Sequence, residues 1–309
     1  MKSRKKYILA EIEATYGVDP TPTTADAILT SGLQRVIYGG PTVSRDFDRS
    51  TLGASSVINT APTASITFQV ELAGSSALGT APPYSKILRA VGWAETVNAS
   101  TDVEYDPVSA GYEAVAVYYD NDGERQKFLG SRGTGGLSMA VGAIPKLNFT
   151  LTGFYATPTA SSLVTPDVSA FQAPVPVNKA NTGTCTIGAY DLIMQSLDID
   201  FGNTVNHFNY VNYEEVLISD RSMSGSMTVL APLISTKDMY ALVESHAGVT
   251  TSAFNLVHGT STNAVTLDAP AMQLTTMQEV DIDGERGFQL SFILSPSSGD
   301  DELKITIGA

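Results

Sequence analysis

The chain has 309 residues, with 18 basic and 32 acidic side chains and a formal charge of −14. This balance argues against a protein that clamps nucleic acid through its phosphates, because such proteins carry a surplus of lysine and arginine. It does not exclude a position beside DNA: an acidic wall would suit a conduit, although many acidic proteins are acidic only for solubility. With 43% hydrophobic and 16% charged residues, the composition predicts a globular, β-rich chain long enough for two domains.

The cysteine content and the first residues bear on disulfide bonding, secretion and membrane insertion. Cys185 is the only cysteine, so the sequence excludes an intramolecular disulfide and a cysteine-rich metal site. Residues 1–6 are basic like the start of a signal peptide, but the apolar run 7–10 is cut by Glu11 and Glu13. No stretch approaches the roughly 18 apolar residues of a membrane span. We therefore expect synthesis in the cytoplasm and no membrane partner.

Residues 1–30 are predicted to form an extended N-terminal arm. A short amphipathic segment is followed by Pro20 and Pro22, which favour extended backbone. Exposed apolar side chains in such a segment would be unfavourable, so we expect it to dock on a neighbouring chain. The residues assigned to this contact between subunits are Tyr7, Ile8, Leu9 and Ile12.

The same succession of patterns occurs on both sides of a second proline-containing stretch, residues 158–178, which is predicted to be a linker. Strand-like alternation is followed by helical spacing that ends at a glycine, and further alternating strands come next. The matched pairs are 42–48 with 196–202 (Phe47 aligned with Phe201), 65–72 with 226–230, 83–92 with 236–248, 114–119 with 253–258, and Leu147, Phe149 and Leu151 with Phe288, Leu290 and Phe292.

This duplication predicts a mainly β protein with two tandem β-barrel or β-sandwich domains, each with one flanking α-helix. The first domain is placed at residues 31–157 and the second at residues 179–309.

Four short segments resemble the tail tube (major tail) proteins of long-tailed bacteriophages with non-contractile tails. They are Lys6 to Gly17 (KYILAEIEATYG), Asp19 to Pro22 (DPTP), Thr67 to Gly74 (TFQVELAG) and Pro82 to Tyr84 (PPY). The resemblance implies β domains that close with their neighbours into rings, and stacked rings that form the tube through which DNA is ejected into the host. It also implies a location in the virion tail, synthesis in the host bacterial cytoplasm, and the tape measure and tail-end proteins as partners.

The familiar ring of this family contains six single-domain subunits, and this chain departs from it by carrying two repeats. Three chains would then supply six units in a ring with pseudo-sixfold symmetry, with six whole chains as the alternative. If each repeat gives about four strands to the inner wall, about 24 tilted strands enclose a barrel roughly 50 Å across at the backbone. A DNA duplex fits inside and passes without specific binding.

Motifs of catalysis and metal binding are weak in this sequence. The histidines His207, His246 and His258 match neither a zinc pair nor a recognisable triad. The glycine-rich residues 130–136 lack the ending of a phosphate loop and are interpreted as a flexible loop or a strand bend. Residues 120–124 resemble a calcium loop without its distal glutamate, so Asp-Gly hairpin turns at 122–123 and 283–284 are favoured. We therefore expect that the protein is not an enzyme and binds neither a cofactor nor a metal.

Two acidic pairs are the candidate functional residues. Asp46 and Asp48, like Asp198 and Asp200, alternate with a phenylalanine or isoleucine and so occupy the polar face of a strand. In a closed ring this face would be the lumen; in an isolated domain it would be ordinary surface. The leading hypothesis is therefore a tail tube protein. The rival hypotheses are a capsid decoration or adhesin-type β binding module and, third, a phage-associated glycosidase.

Overall fold

The computed structural model describes residues 2–308, of which about half lie in strands. The elements of the first half are β1 (Lys6–Ile12), β2 (Ala27–Ile28), β3 (Ser31–Gly39), β4 (Thr42–Ser44), β5 (Val57–Asn59), β6 (Thr63–Glu71), α1 (Ser85–Ala90), β7 (Trp93–Asn98), β8 (Asp102–Pro107), β9 (Val115–Asn121), β10 (Glu124–Ala140), β11 (Lys146–Phe154) and β12 (Thr159–Ala160).

The second half follows with a similar order of elements. These are β13 (Thr182–Ile187), β14 (Tyr190–Asp191), β15 (Met194–Asp200), β16 (Asn203–Tyr210), β17 (Tyr213–Arg221), β18 (Ser224–Leu230), α2 (Tyr240–Val243), β19 (Ser252–His258), β20 (Val265–Ile282), β21 (Glu285–Leu294) and β22 (Lys304–Ile307).

One antiparallel sheet, here called the central sheet, runs through both halves. Its strand order within the described residues is β3–β6–β11–β10–β15–β18–β21–β20, four strands from each half. The halves meet where residues 136–140 of β10 pair with residues 196–200 of β15. The two repeats therefore share one continuous sheet.

The long strands β10 and β20 each leave the central sheet and enter a flanking sheet. The first part of β10 pairs with β9, which continues to β1 and β2. The first part of β20 pairs with β19 on one side and β22 on the other, and β22 continues to β8 and β7. The pairings among the described strands do not form a closed ring of hydrogen-bonded strands, so the sheets are open. The predicted mainly β, sandwich-like fold is confirmed, and the alternative of a barrel closed within the chain is not formed.

Strict alternation of apolar side chains builds the core between these sheets. Ile66, Phe68 and Val70 of β6 are buried beside Leu147 and Phe149 of β11, while the residues between them face outward. Side chains on a strand point alternately to its two faces, so one buried face imposes this period of two. The buried residues of both halves form one large cluster.

The two halves match in their ladder partners as well as in their order. β1–β9–β10–β11–β6–β3 of the first half corresponds to β13–β19–β20–β21–β18–β15 of the second. Two-residue hairpin turns at 122–123 and 283–284 are also where the sequence predicts them.

One element of the sequence alignment is wrong. The counterpart of β15 is β3 rather than residues 42–48, and Phe47 is 54% exposed whereas Phe201 is 1% exposed. The alternation of β3 is obscured because Val36, Ile37 and Tyr38 are all exposed at an edge of the sheet.

The two helices are shorter than the predicted spans 83–92 and 236–248. α1 buries Ile87 and Leu88, and the chain turns away after it at Gly92, whose φ of +91° favours glycine. α2 has a single turn with no buried residue. The two repeats thus differ in how well their helix is covered.

The N-terminal segment is not an extended arm. Residues 6–12 form β1, a strand of the chain's own flanking sheet, and Ile8 and Leu9 are completely buried there. Tyr7 and Leu9 pack with Val168 of the proline-containing stretch. Burial within the same chain removes the reason for expecting these residues, with Ile12, to dock on a neighbour.

The glycine-rich residues 130–136 are a strand bend and not a loop. β10 pairs with β9 as far as Ser131 and with β11 from Leu129 onward, and both ladders shift register in a bulge around Gly130, where φ is +59°. The Glu13 carboxylate accepts the Gly130 N–H at 2.7 Å and fixes the bulge. Burial raises the pKa of Glu13, and the hydrogen bonds from the backbone N–H groups of Gly130 and Gly17 oppose this rise.

Candidate functional site

The outward face of the central sheet is a broad polar surface made mainly of uncharged side chains. Because alternate residues of each strand point into the core, the remaining positions of neighbouring strands line up in rows across the sheet. These outward residues include Gln34, Thr67, Gln69, Thr150, Asn148, Thr134, Ser138, Ser226, Thr228 and Gln289.

A groove of about 820 Å³ runs across this face over strands of both halves. Its acidic side chains are Asp198 and Asp200 of β15, and no lysine or arginine lines it within the described chain. Ser138 donates a hydrogen bond of 2.6 Å to Asp198, and Asp200 accepts the Gly202 N–H at 2.9 Å. Two of the four predicted acidic residues therefore share a concave polar wall.

Asp46 and Asp48 lie elsewhere. They follow β4 in the loop of the two-stranded β4–β5 hairpin, where Asp46 accepts a hydrogen bond from Ser44 at 2.8 Å. β3 is the strand that corresponds to β15, and it contains no acid. The predicted pairing of these aspartates with Asp198 and Asp200 fails because it rests on the wrong strand alignment.

Basic charge on the outward face is confined to its margin. Lys146 at the start of β11 is paired in register with Glu71 and donates a hydrogen bond to Gln69 at 3.2 Å. The carboxylate on the neighbouring strand partly offsets the charge of this lysine. The groove itself keeps a net negative charge.

The central sheet has an unpaired edge at each end. Among the described strands, β3 pairs only with β6, and residues 273–282 of β20 pair only with β21. The β3 carbonyls of Leu33 and Ile37 accept hydrogen bonds from the side chains of Lys6 and Gln126. Unpaired sheet edges are templates for another strand, and a lysine at the edge is a common way of shielding them before assembly.

The described residues contain no cluster of metal-ligating side chains. No group of three or more His, Cys, Asp or Glu side chains within residues 2–308 is placed to hold a metal ion. His207 lies 3.0 Å from Glu214 on the β16–β17 hairpin, while His258 is buried. Nor is any described helix long and apolar enough for a transmembrane segment.

His258 predicts one pH effect on stability. Its Nδ1 lies 2.8 Å from Thr182 Oγ1 and its Nε2 lies 3.2 Å from the Val175 carbonyl, and burial lowers its pKa below the ordinary 6.5. The unfolded chain therefore binds a proton before the folded chain does, and stability falls as pH drops below about 6.5. We expect His258→Gln to reduce this fall between pH 7 and pH 5 in urea titrations. Equal pH dependence in the parent and the variant would contradict it.

Comparison with known families places this fold in a class. The geometry defines a repeated β sandwich with a polar concave face and open sheet edges, and a family model described as phage tail tube protein matches residues 3–292. The chain therefore belongs to the phage tail tube protein family. No curated protein matches it. Membership in this structural family indicates a virion tail location, stacking with other copies of itself and a non-enzymatic role.

Proposed function

We propose that three copies of this chain close into a ring, and that stacked rings form the tail tube through which DNA is ejected. The observation that carries the proposal is the central sheet, with its concave polar face and two free edges.

The junction inside the chain supplies a template for the junction between chains. Within the chain, β10 pairs with β15. The repeat counterpart of β10 is β20, and that of β15 is β3, so the equivalent contact joins β20 of one chain to β3 of the next. Both strands present free edges, and the antiparallel direction is the one already used inside the chain. Head-to-tail pairing of this kind generates a ring when the rotation closes.

Three chains give a wall of suitable size. Eight described strands per chain make 24 strands in the ring, and at about 4.8 Å spacing and about 40° tilt they enclose roughly 50 Å at the backbone. With the concave face inward, the lumen is coated with hydroxyl, amide and carboxylate groups. DNA then slides past a groove that offers no cation to hold its phosphates.

The other assignments rest on membership in the tail tube protein family. The tape measure protein would occupy the lumen during assembly, and tail-end proteins would cap the last rings. The chain would be made in the host bacterial cytoplasm and would act as part of a tail of the long, non-contractile type.

Negative-stain electron microscopy of the concentrated purified protein tests the proposal. We expect rings or tubes with an open centre, because only edge pairing consumes both free strands. A capsid decoration or adhesin-type module would instead remain a dispersed particle at the same concentration. Persistent monomers at all concentrations, with folding confirmed by circular dichroism, would overturn the proposal.

A further inference from the structure

The β16–β17 hairpin, here called the second hairpin, projects from the second half and is clamped onto the first half. Arg132 of β10 donates hydrogen bonds to the Val216 carbonyl at 2.9 Å and to the Glu215 carboxylate at 2.7 Å. Tyr16 Oη accepts the Val216 N–H at 2.7 Å. The second hairpin is thus held by backbone and side-chain contacts to the neighbouring repeat.

Apolar packing accompanies these hydrogen bonds. Val216 is completely buried, and Ile218 and Tyr112 both lie beside Gly92, the glycine that follows α1. Asn203 of the same hairpin donates a hydrogen bond of 2.7 Å to the Val91 carbonyl. The segment after α1 is therefore part of the surface that receives the second hairpin.

The β4–β5 hairpin, here called the first hairpin, is the repeat counterpart and has no such cover. Each hairpin leaves the sheet at a glycine with positive φ, Gly40 or Gly202, where a Cβ would collide with a carbonyl of the segment that returns to the sheet. Yet the apolar Val43, Val57 and Ile58 are each at least half exposed. Three neighbouring β-branched side chains in water are unfavourable for an isolated chain.

The corresponding receiving surface on the second half is also uncovered. α2 buries no residue, and the segment around it exposes Leu233, Ile234 and Val249. In the first half the second hairpin covers the segment directly after the helix, at Val91 and Gly92. The first hairpin and the α2 region are therefore both uncovered, whereas the second hairpin and the segment after α1 cover each other.

We propose that the first hairpin of each chain docks on the α2 region, residues 231–249, of the adjacent chain. This inference rests on the proposed ring, in which the second half of one chain adjoins the first half of the next. The internal contact of the second hairpin is the template, and the occupant is a second copy of this chain. In the ring, each second hairpin then covers the α1 region of its own chain, and each first hairpin covers the α2 region of the adjacent chain.

Photo-cross-linking in a mixed assembly tests the docking directly. A benzophenone amino acid replaces Ile58 in ¹⁵N-labelled chains, which are assembled with unlabelled chains of natural sequence. Mass spectrometry should find mixed-isotope cross-links to residues 231–249, falling about tenfold or more when the assemblies are dissociated by dilution. The same probe at Val211, on the tip of the second hairpin, is the control and should not reach that segment.

The outcomes separate the docking from the ring. Assemblies whose Ile58 cross-links fall elsewhere, or only within one chain, overturn the docking and leave the ring intact. Failure to assemble at any concentration removes both proposals.

A substitution gives an independent readout of the same contact. Leu233→Ser with Ile234→Ser should raise the concentration needed for assembly about tenfold or more, because two apolar side chains lose their burial. Both side chains are exposed in the single chain, so folding should not change. Val211→Ser is the matched control with no expected effect. An unchanged assembly threshold in the double variant would contradict the docking.

Discussion

DNA ejection is expected to slow about tenfold or more at low salt when Asp198 and Asp200 are both replaced by lysine. Three chains per ring would place six new cations around each turn of the lumen, and stacked rings repeat them along the whole tube. Each lysine can hold a DNA phosphate, so the wall gains a series of weak binding sites. Ejection from purified particles, followed by DNA release over time, measures the rate.

Salt dependence and a matched variant make this result specific. The slowing should diminish at high salt, because counterions screen contacts between lysine and phosphate. Glu214→Lys with Asp220→Lys adds the same charge on the second hairpin, outside the groove, and should leave ejection unchanged. Normal ejection at both salt concentrations, from particles with normal tails, would show that Asp198 and Asp200 do not face the channel.

Arg132→Met is expected to lower the free energy of unfolding by about 3–5 kcal/mol. The guanidinium is buried and also donates hydrogen bonds to the carbonyls of Tyr112 and Glu113, at 2.7 and 3.1 Å. Methionine fills similar space but leaves buried acceptors without donors. Urea unfolding of the unassembled protein measures the loss, and amide exchange should accelerate in residues 203–221.

Arg45→Met provides the comparison for this prediction. Arg45 lies on the first hairpin, is exposed and stacks on Phe47, with its guanidinium carbon 4.9 Å from the ring centroid. Its replacement should change stability by less than about 0.5 kcal/mol. If both variants lost the same small amount, Arg132 would not be the clamp between the repeats.

The sequence predicted the parts of the fold in which one face of a strand is buried. Phe68, Phe149 and Leu290 occupy core positions in strongly alternating segments, and their strands were assigned correctly. The duplication was recognisable for the same reason. Aspartate followed by glycine marked the tight turns, because those residues tolerate the backbone angles required there.

The remaining features depend on which strands lie side by side. Edge strand β3 exposes apolar side chains on both faces, so its alternation is unclear, and the sequence pattern favours residues 42–48 as the counterpart of β15 instead. The apolar residues of β1 looked like an intersubunit contact because their partner strand, β9, is more than a hundred residues away. The ladder between β10 and β15, which joins the repeats, likewise has no local signal.

A cryo-electron microscopy reconstruction of the assembled tube tests the central claim most directly. We expect threefold rings in which each chain fills two of six equivalent positions, β20 of one chain pairs with β3 of the next, and the groove with Asp198 and Asp200 faces the lumen. Rings of six whole chains, or a lumen lined by any other surface of the chain, would contradict it.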